Sequence, residues 1–182
     1  MRILPLIAIY LFCFSAYSQQ QDQNAVTVSV KRTIQYQTTA DWTKTSSTYD
    51  KKQGIEVVNY QRSPIKTDST NTFIVTQSCK VENARGASIK AYSLASLSMF
   101  QKADGFKITK TFTHTDGLLQ IPYTVGYWAV YTDKNKTQHK VVIIHGIHSN
   151  GNGFQFFIDC PAPVFEQSEV EITAQVSSLK LL

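Results

Sequence analysis

The chain has 182 residues and carries 18 Lys and Arg against 13 Asp and Glu, a formal net charge of +5. Apolar residues make up 42% and charged residues only 17%, below the roughly 25% charged residues of an average soluble domain. These proportions exclude a disordered charged tail and a coiled coil, and the length suits one domain with a core. The basic residues are spread along the chain without a stripe, so we expect no nucleic-acid partner.

The first segment is predicted to be a secretory signal peptide. Arg2 precedes an uncharged apolar run, and small residues follow at Ala16 and Ser18, a pattern typical of such signals. We expect cleavage after Ser18, which removes residues 1–18 and leaves an exported protein, periplasmic or secreted. A retained anchor is one alternative. Lipidation of Cys13 is another, although its large neighbours do not suit that modification.

The remaining chain begins with a short polar stretch. Residues 19–24 are predicted to be a flexible N-terminus and residues 25–182 to form a single domain. The Gln at the new N-terminus resembles those of exported proteins of the Bacteroidota. No apolar run after the signal reaches the ~20 residues of a membrane span, so we expect none in the mature chain.

Alternating apolar and polar residues predict most of the chain to be strands. The predicted strands cover residues 26–36, 55–60, 72–81, 106–113, 123–132, 140–147 and 154–158. Residues 38–54 are rich in Thr, Ser and Lys and are predicted to be a loop anchored by Trp42. The apolar run from Val141 to Ile144 is typical of a strand covered on both faces.

Two segments have helical spacing. The first apolar stripe comprises Ile89, Tyr92, Leu97 and Phe100, and the second comprises Phe165, Ile172, Val176 and Leu179. These stripes predict helices over about residues 88–103 and 164–179. Glu166, Glu169 and Glu171 are interpreted as a solvated face of the second helix. Strands interrupted by two helices, without alternation of strand and helix, predict an α+β fold with an antiparallel β-sheet and two packed α-helices.

This element order resembles the PsbP/Mog1/DcrB-like fold over about residues 55–182. The likeness rests on a strand leading into a helix, a meander, and an aromatic-rich strand at Gly153–Asp159. That strand passes Pro161 into a terminal amphipathic helix that ends in Ser177–Lys180. The resemblance implies a non-enzymatic binding or assembly role and carries no catalytic residues, since the fold has no shared catalytic motif. Residues 26–50 have no counterpart in it.

Cys79 and Cys160 are the two cysteines that remain after the signal. An even pair in an oxidising compartment favours a disulfide, and their strand positions predict that both face the core. A bridge requires Cα atoms within about 7 Å, so it also predicts neighbouring strands. Two buried free thiols are the alternative.

Groups for catalysis or metal binding are sparse. His145 and His148 stand three apart at a strand end, where they point to opposite faces, and no Glu base lies between them as in a zinc protease. We therefore predict no catalytic residues, no metal site and no cofactor, and expect that the protein is not an enzyme.

Aromatic residues provide the main indication of a binding surface. Tyr123, Tyr127 and Tyr131 stand four residues apart, so a strand would place them on one face and Trp128 on the other. Core packing with cross-strand pairs is one interpretation. The other is a Tyr-lined surface that contacts a protein or glycan partner.

Two hypotheses for the function remain open. The first is an exported, non-enzymatic binding or assembly protein of the cell envelope. The alternative is a small-ligand carrier with an apolar pocket between the sheet and the helices. An exposed aromatic patch favours the first and a closed apolar cavity favours the second, whereas polar groups converging in a cleft would indicate an enzyme.

Overall fold

The computed structural model describes residues 25–182, so the predictions for residues 1–24 lie outside the described residues. The strands are β1 (Val26–Val30), β2 (Ile34–Thr38), β3 (Trp42–Asp50), β4 (Ile55–Arg62), β5 (Ile65–Lys66), β6 (Thr72–Phe73), β7 (Thr76–Asn83), β8 (Lys107–Thr113), β9 (Thr124–Thr132), β10 (Gln138–Ile147), β11 (Asn152–Pro161) and β12 (Lys180–Leu181). The helices are α1 (Ile89–Phe100) and α2 (Phe165–Ser177).

One seven-stranded sheet organises the molecule. Its order is β3-β4-β7-β11-β10-β9-β8, and every neighbouring pair is antiparallel. Helix α1 packs on one face. Helix α2 and a small β1-β2-β12 sheet pack on the other. The prediction of an α+β fold with an antiparallel sheet and two helices is confirmed.

Strand β10 lies near the middle of the sheet and is buried on both faces. Val142 and Ile144 face the α2 layer, whereas Val141 and Ile143 face α1. All four are at most 1% exposed. The prediction from the unbroken apolar run is therefore confirmed, because the side chains on each face of β10 pack against a buried layer.

The larger core lies on the α2 face. Helix α2 buries Phe165, Ile172 and Val176 against the sheet, and Leu179 follows at 1% exposure. Both helices lie within their predicted ranges. Ser88 caps α1 as expected, since its Oγ accepts a hydrogen bond from the Ala91 N–H at 3.2 Å.

Glu171 ties α2 to the sheet. Its Oε1 accepts hydrogen bonds from Thr39 Oγ1 at 2.8 Å and from Trp42 Nε1 at 2.6 Å. Its Oε2 accepts from Arg62 Nε at 2.7 Å. The interpretation of a solvated face is correct for the exposed Glu169 and wrong for Glu171. Charge alone does not show which carboxylate of a helix has a partner from a distant strand.

Two strand predictions near the N-terminus are wrong. Residues 26–36 form the hairpin β1-β2 rather than one strand, because Lys31 and Arg32 adopt φ values of 48° and 47° and turn the chain. Two left-handed residues are typical of a type I′ turn, which Asn-Gly usually signals, whereas this turn has Lys-Arg in that place. Residues 42–50 form β3 rather than a loop, since Thr and Ser suit a solvated strand at a sheet edge.

The predicted disulfide between Cys79 and Cys160 is wrong. Both thiols are free and buried, the alternative that the sequence left open. The two strands are neighbours, as predicted, but Cys79 lies opposite Phe156. Cys160 is four residues farther along β11, roughly 13 Å at the rise of a strand. That separation exceeds the reach of a disulfide.

Burial also keeps these thiols unreactive. It raises the pKa of Cys160 to about 11 and that of Cys79 further. Since the thiolate is the reactive form, both cysteines act as small core side chains.

Within residues 25–182, neither helix has the length and hydropathy that a membrane crossing requires.

Candidate functional site

The structure separates the three tyrosines predicted to share a face. Tyr127 and Tyr131 lie in β9 on the α1 face and are partly buried. Tyr123 precedes β9, adopts a φ of 56° and is 73% exposed. The core-packing interpretation therefore describes Tyr127 and Tyr131, and Tyr123 alone presents its ring to solvent.

Tyr127 belongs to a buried hydrogen-bond chain beneath α1. Its hydroxyl lies 2.8 Å from Ser93 Oγ, which lies 2.9 Å from His145 Nδ1. His145 Nε2 lies 3.2 Å from Gln155 Oε1. Because that amide oxygen only accepts, Nε2 carries the ring proton, and the hydrogen bonds run from Tyr127 through Ser93 to the Nδ1 lone pair.

His145 is neutral in this chain. Burial is the main cause that lowers its pKa, to about 4. Ser93 is 1% exposed and His145 is 0% exposed. The pair has the hydrogen bond of a nucleophile and its base, but both side chains are buried beneath α1, where this hydrogen-bond chain positions α1 on the sheet.

Tyr131 belongs to a second polar cluster on the same face. Its hydroxyl donates to Asp159 Oδ2 at 2.6 Å, and His139 Nδ1 lies 2.6 Å from Asp159 Oδ1. The Tyr131 and His139 rings stack with centroids 4.8 Å apart. Burial, followed by the Asp159 carboxylate, raises the pKa of Tyr131. This cluster holds β9, β10 and β11 together.

An apolar cleft of about 700 Å³ lies at the end of the sheet where α1 begins. We call it the Tyr123 cleft. It is lined by Ala87, Ser88, Ile89, Pro122, Tyr123, Ile147, His148, Ser149, Leu181 and Leu182. Tyr123 and Leu182 stand at its rim, 73% and 49% exposed. The side chains of the lining include one His and no Asp or Glu, so the cleft suits apolar contact rather than acid–base chemistry.

Four separate segments build the Tyr123 cleft. The start of α1, the residues just before β9 and the end of β10 supply three of them. Leu181 and Leu182 reach the cleft because β12 pairs with β2, which places Leu181 opposite Ile34. Sequence analysis singled out Tyr123 but missed this setting, because nothing local in the sequence predicts the pairing of β2 with the last strand, β12.

Tyr123 is held in a conformation that side chains with a Cβ rarely adopt. Its φ of 56° lies in the left-handed region, where a bulky residue is strained. The Tyr123 carbonyl accepts a hydrogen bond from the Ile147 N–H at 3.3 Å. Strain of this kind concentrates at functional positions, where the surrounding structure maintains it.

No metal site is evident in the part of the chain that the structure describes. Across residues 25–182, no three His, Cys, Asp or Glu side chains converge to hold an ion.

Solved structures show a similar arrangement of elements. The Saccharomyces cerevisiae Ran-binding protein Mog1p matches with a TM-score of 0.57 and 8% identity, over 87% of this chain and 95% of that one. LpqN of Mycobacterium tuberculosis, involved in cell envelope biogenesis, matches with a TM-score of 0.55 and 12% identity, over 92% of this chain and 95% of that one. The chain has a PsbP/Mog1-like fold.

The fold resemblance noted from the sequence is thereby confirmed. At these identities the likeness shows the fold alone. No protein-family model matches the chain, and no curated protein matches it in sequence. The resemblance to exported Bacteroidota proteins stays a prediction.

Proposed function

We propose that this protein is an exported, non-enzymatic binding or assembly protein of the cell envelope, and that it contacts a protein partner through the Tyr123 cleft. The observation that carries the proposal is Tyr123 itself, an exposed and strained aromatic residue at the rim of an apolar cleft. Aromatic side chains in such settings commonly anchor protein interfaces.

The comparisons support the cellular setting of this proposal. LpqN, which shares the fold, is involved in cell envelope biogenesis, and Mog1p binds the protein Ran. Export agrees with the signal-peptide pattern of residues 1–18. A glycan partner was the other expectation from the sequence. The apolar lining of the cleft favours protein, because a glycan would need more polar partners there.

Photo-crosslinking from the rim tests the proposal. Tyr123 is replaced by the photo-reactive amino acid p-benzoylphenylalanine in the full-length protein, expressed in cells that produce it naturally. Tyr49, 57% exposed on β3, is the matched control. We expect a discrete crosslinked protein from position 123 and none from position 49. Equal crosslinking from both positions, or none from either, contradicts the proposal.

A small-ligand carrier is the second candidate, and the volume of the cleft favours it. About 700 Å³ falls within the ~300–1,000 Å³ of ligand pockets. The cleft lies at the end of the sheet rather than closed between sheet and helices, which is the weaker point of this candidate. Native mass spectrometry of protein purified from the producing cells separates the two. A bound apolar molecule that Tyr123→Ser releases would support the carrier.

A further inference from the structure

The outer face of α1 is apolar. Ala91, Leu94, Ala95 and Met99 follow helical spacing and face solvent. Leu94 is 58% exposed and Met99 is 67% exposed. The twelve residues of α1 contain a single charged side chain, that of Lys90. A helix that serves only the core has a polar outer face, so this stripe indicates a contact surface.

A groove runs between this stripe and strand β7. Its volume is about 480 Å³, and its walls include Ala91, Ala95 and Met99 from α1 and Lys80 and Glu82 from β7. Ala87 lines both this groove and the Tyr123 cleft. The two depressions are therefore adjacent, and together they border α1 from its first residues to its last turn.

The groove and the two ends of α1 carry positive charge without an acidic partner. Lys80 Nζ lies 2.7 Å from Glu82 Oε1, so these two charges offset each other. Arg85 lines the groove, whereas Lys90 lies in the first turn of α1 and Lys102 just beyond its end. All three are exposed, and none has an ion pair within the described residues. Asp104, beyond the end of α1, lies 3.6 Å from Lys136 and is offset by it. A ligand that follows the stripe therefore meets uncompensated positive charge.

The form of the occupant follows from the hydrogen bonds of β7. This strand pairs with β4 on one side and β11 on the other, so it has no free edge for an added strand. The occupant must satisfy its own backbone and bind through side chains. An amphipathic helix in a groove does both. The concavity also favours inserted side chains over a flat bilayer surface.

We infer that the α1 stripe and its groove bind an amphipathic helix of a partner protein, with apolar side chains in the groove and acidic side chains toward Arg85, Lys90 and Lys102. This inference rests on the proposed function and specifies its partner by chemistry. The Tyr123 cleft would receive the end of that helix.

Crosslinking along α1 tests where the partner lies. Leu94 and Met99 are each replaced by p-benzoylphenylalanine in the full-length protein, and Val170, 71% exposed on α2, is the matched control. We expect both α1 positions, and not Val170, to capture the protein captured from Tyr123, at an acidic amphipathic segment. Crosslinks from Tyr123 without any from α1 keep the proposed function and overturn this inference. If no crosslinked protein forms from Tyr123, Leu94 or Met99, both the proposed function and this inference are contradicted.

Charge reversal on the captured partner segment tests the chemistry. With a synthetic peptide of that segment, we expect Lys90→Glu to weaken binding about three- to tenfold and added salt to weaken wild-type binding. Lys52→Glu, at an exposed turn, is the control and should leave binding unchanged. We expect Leu94→Ser with Met99→Ser to weaken it more than about tenfold. Binding that is insensitive to Lys90→Glu overturns the acidic assignment.

A membrane surface is the competing occupant. Vesicles of phosphatidylglycerol and phosphatidylcholine are sedimented with the wild-type protein and with the Leu94→Ser, Met99→Ser variant. We expect neither protein to sediment with the vesicles. Sedimentation of the wild type alone would assign the stripe to anionic lipid and overturn the inference.

Discussion

The two helices cover opposite faces of one sheet, yet their outer surfaces differ. Helix α2 buries a stripe of large apolar residues and exposes mainly polar ones, Glu166, Gln167 and Glu169, with Val170 as its one large exposed apolar residue. Helix α1 buries Tyr92, Ser93 and Leu97 and exposes an apolar stripe. The difference indicates that α2 is mainly an element of stability, whereas α1 has a solvent face suited to a partner.

The contacts that hold the two helices on the sheet also differ, and those of α2 are more extensive. Helix α2 closes the larger core and is tied down by a carboxylate with three donors. Helix α1 closes a small cluster and depends partly on the neutral His145. Substitutions in the α2 layer should therefore change stability, and substitutions on the outside of α1 should change binding.

Removal of the α2 layer should have the largest effect. We expect the chain truncated before Pro163 not to fold. It loses the four buried side chains of the predicted stripe, each worth about 1.5–3 kcal/mol, or on the order of 6–12 kcal/mol together. That sum equals the stability of a typical domain. Circular dichroism during heating shows whether the truncated chain unfolds cooperatively. Cooperative unfolding of the truncated chain near the wild-type temperature would contradict the stabilising role of α2.

Glu171→Ala should cost about 2–4 kcal/mol of unfolding free energy, because it leaves Arg62 Nε and Trp42 Nε1 without their acceptor. Urea unfolding of wild type and variant measures the change. Glu169→Ala, on the exposed side of the same helix, is the matched control and should stay within about 0.5 kcal/mol. Equal effects of the two substitutions would show that the Glu171 contacts contribute nothing.

The attachment of α1 should weaken in acid. The folded-state pKa of His145, about 4, lies below its ordinary 6.5, so the unfolded chain binds a proton that the folded chain does not. Stability is therefore fully present above pH 6.5 and falls as the pH drops toward 4, by on the order of 3 kcal/mol.

Urea unfolding between pH 5 and pH 7, where most carboxylates stay ionised, isolates this titration. We expect His145→Gln to lower stability at pH 7 and to remove most of the pH dependence in that window. A wild-type slope that persists in this variant would assign the dependence to another group.

Tyr123→Gly should have the smallest effect on stability, with the opposite sign. Glycine accepts the left-handed φ of 56° without strain, so we expect a gain of about 0.5–1 kcal/mol, offset in part by the freedom of glycine in the unfolded chain. The same change should abolish capture of the partner by p-benzoylphenylalanine placed at position 94. Tyr49→Gly, within strand β3, should instead destabilise the protein. A loss of stability in Tyr123→Gly would mean that the ring supports the fold.

Local patterns predicted the parts of the fold that depend on local spacing. The run Val141–Ile144 identified a strand covered on both faces, and the stripe from Phe165 to Val176 identified α2. The turn at Lys31 and Arg32 was missed because its left-handed pair lacks glycine. Strand β3 was missed because an edge strand has no apolar face to produce an alternating pattern.

The candidate site was predictable only in part, and the reason is physical. The sequence by itself determined the α+β class and the order of four strands between the two helices, and it singled out Tyr123 as a candidate, since periodicity and residue type act over a few neighbours. Only the tertiary structure decided that Cys79 faces Phe156 rather than Cys160, that Glu171 meets Arg62, and that β12 reaches β2. Strand register and the pairing of distant segments arise from packing across the whole chain, and no local pattern records them.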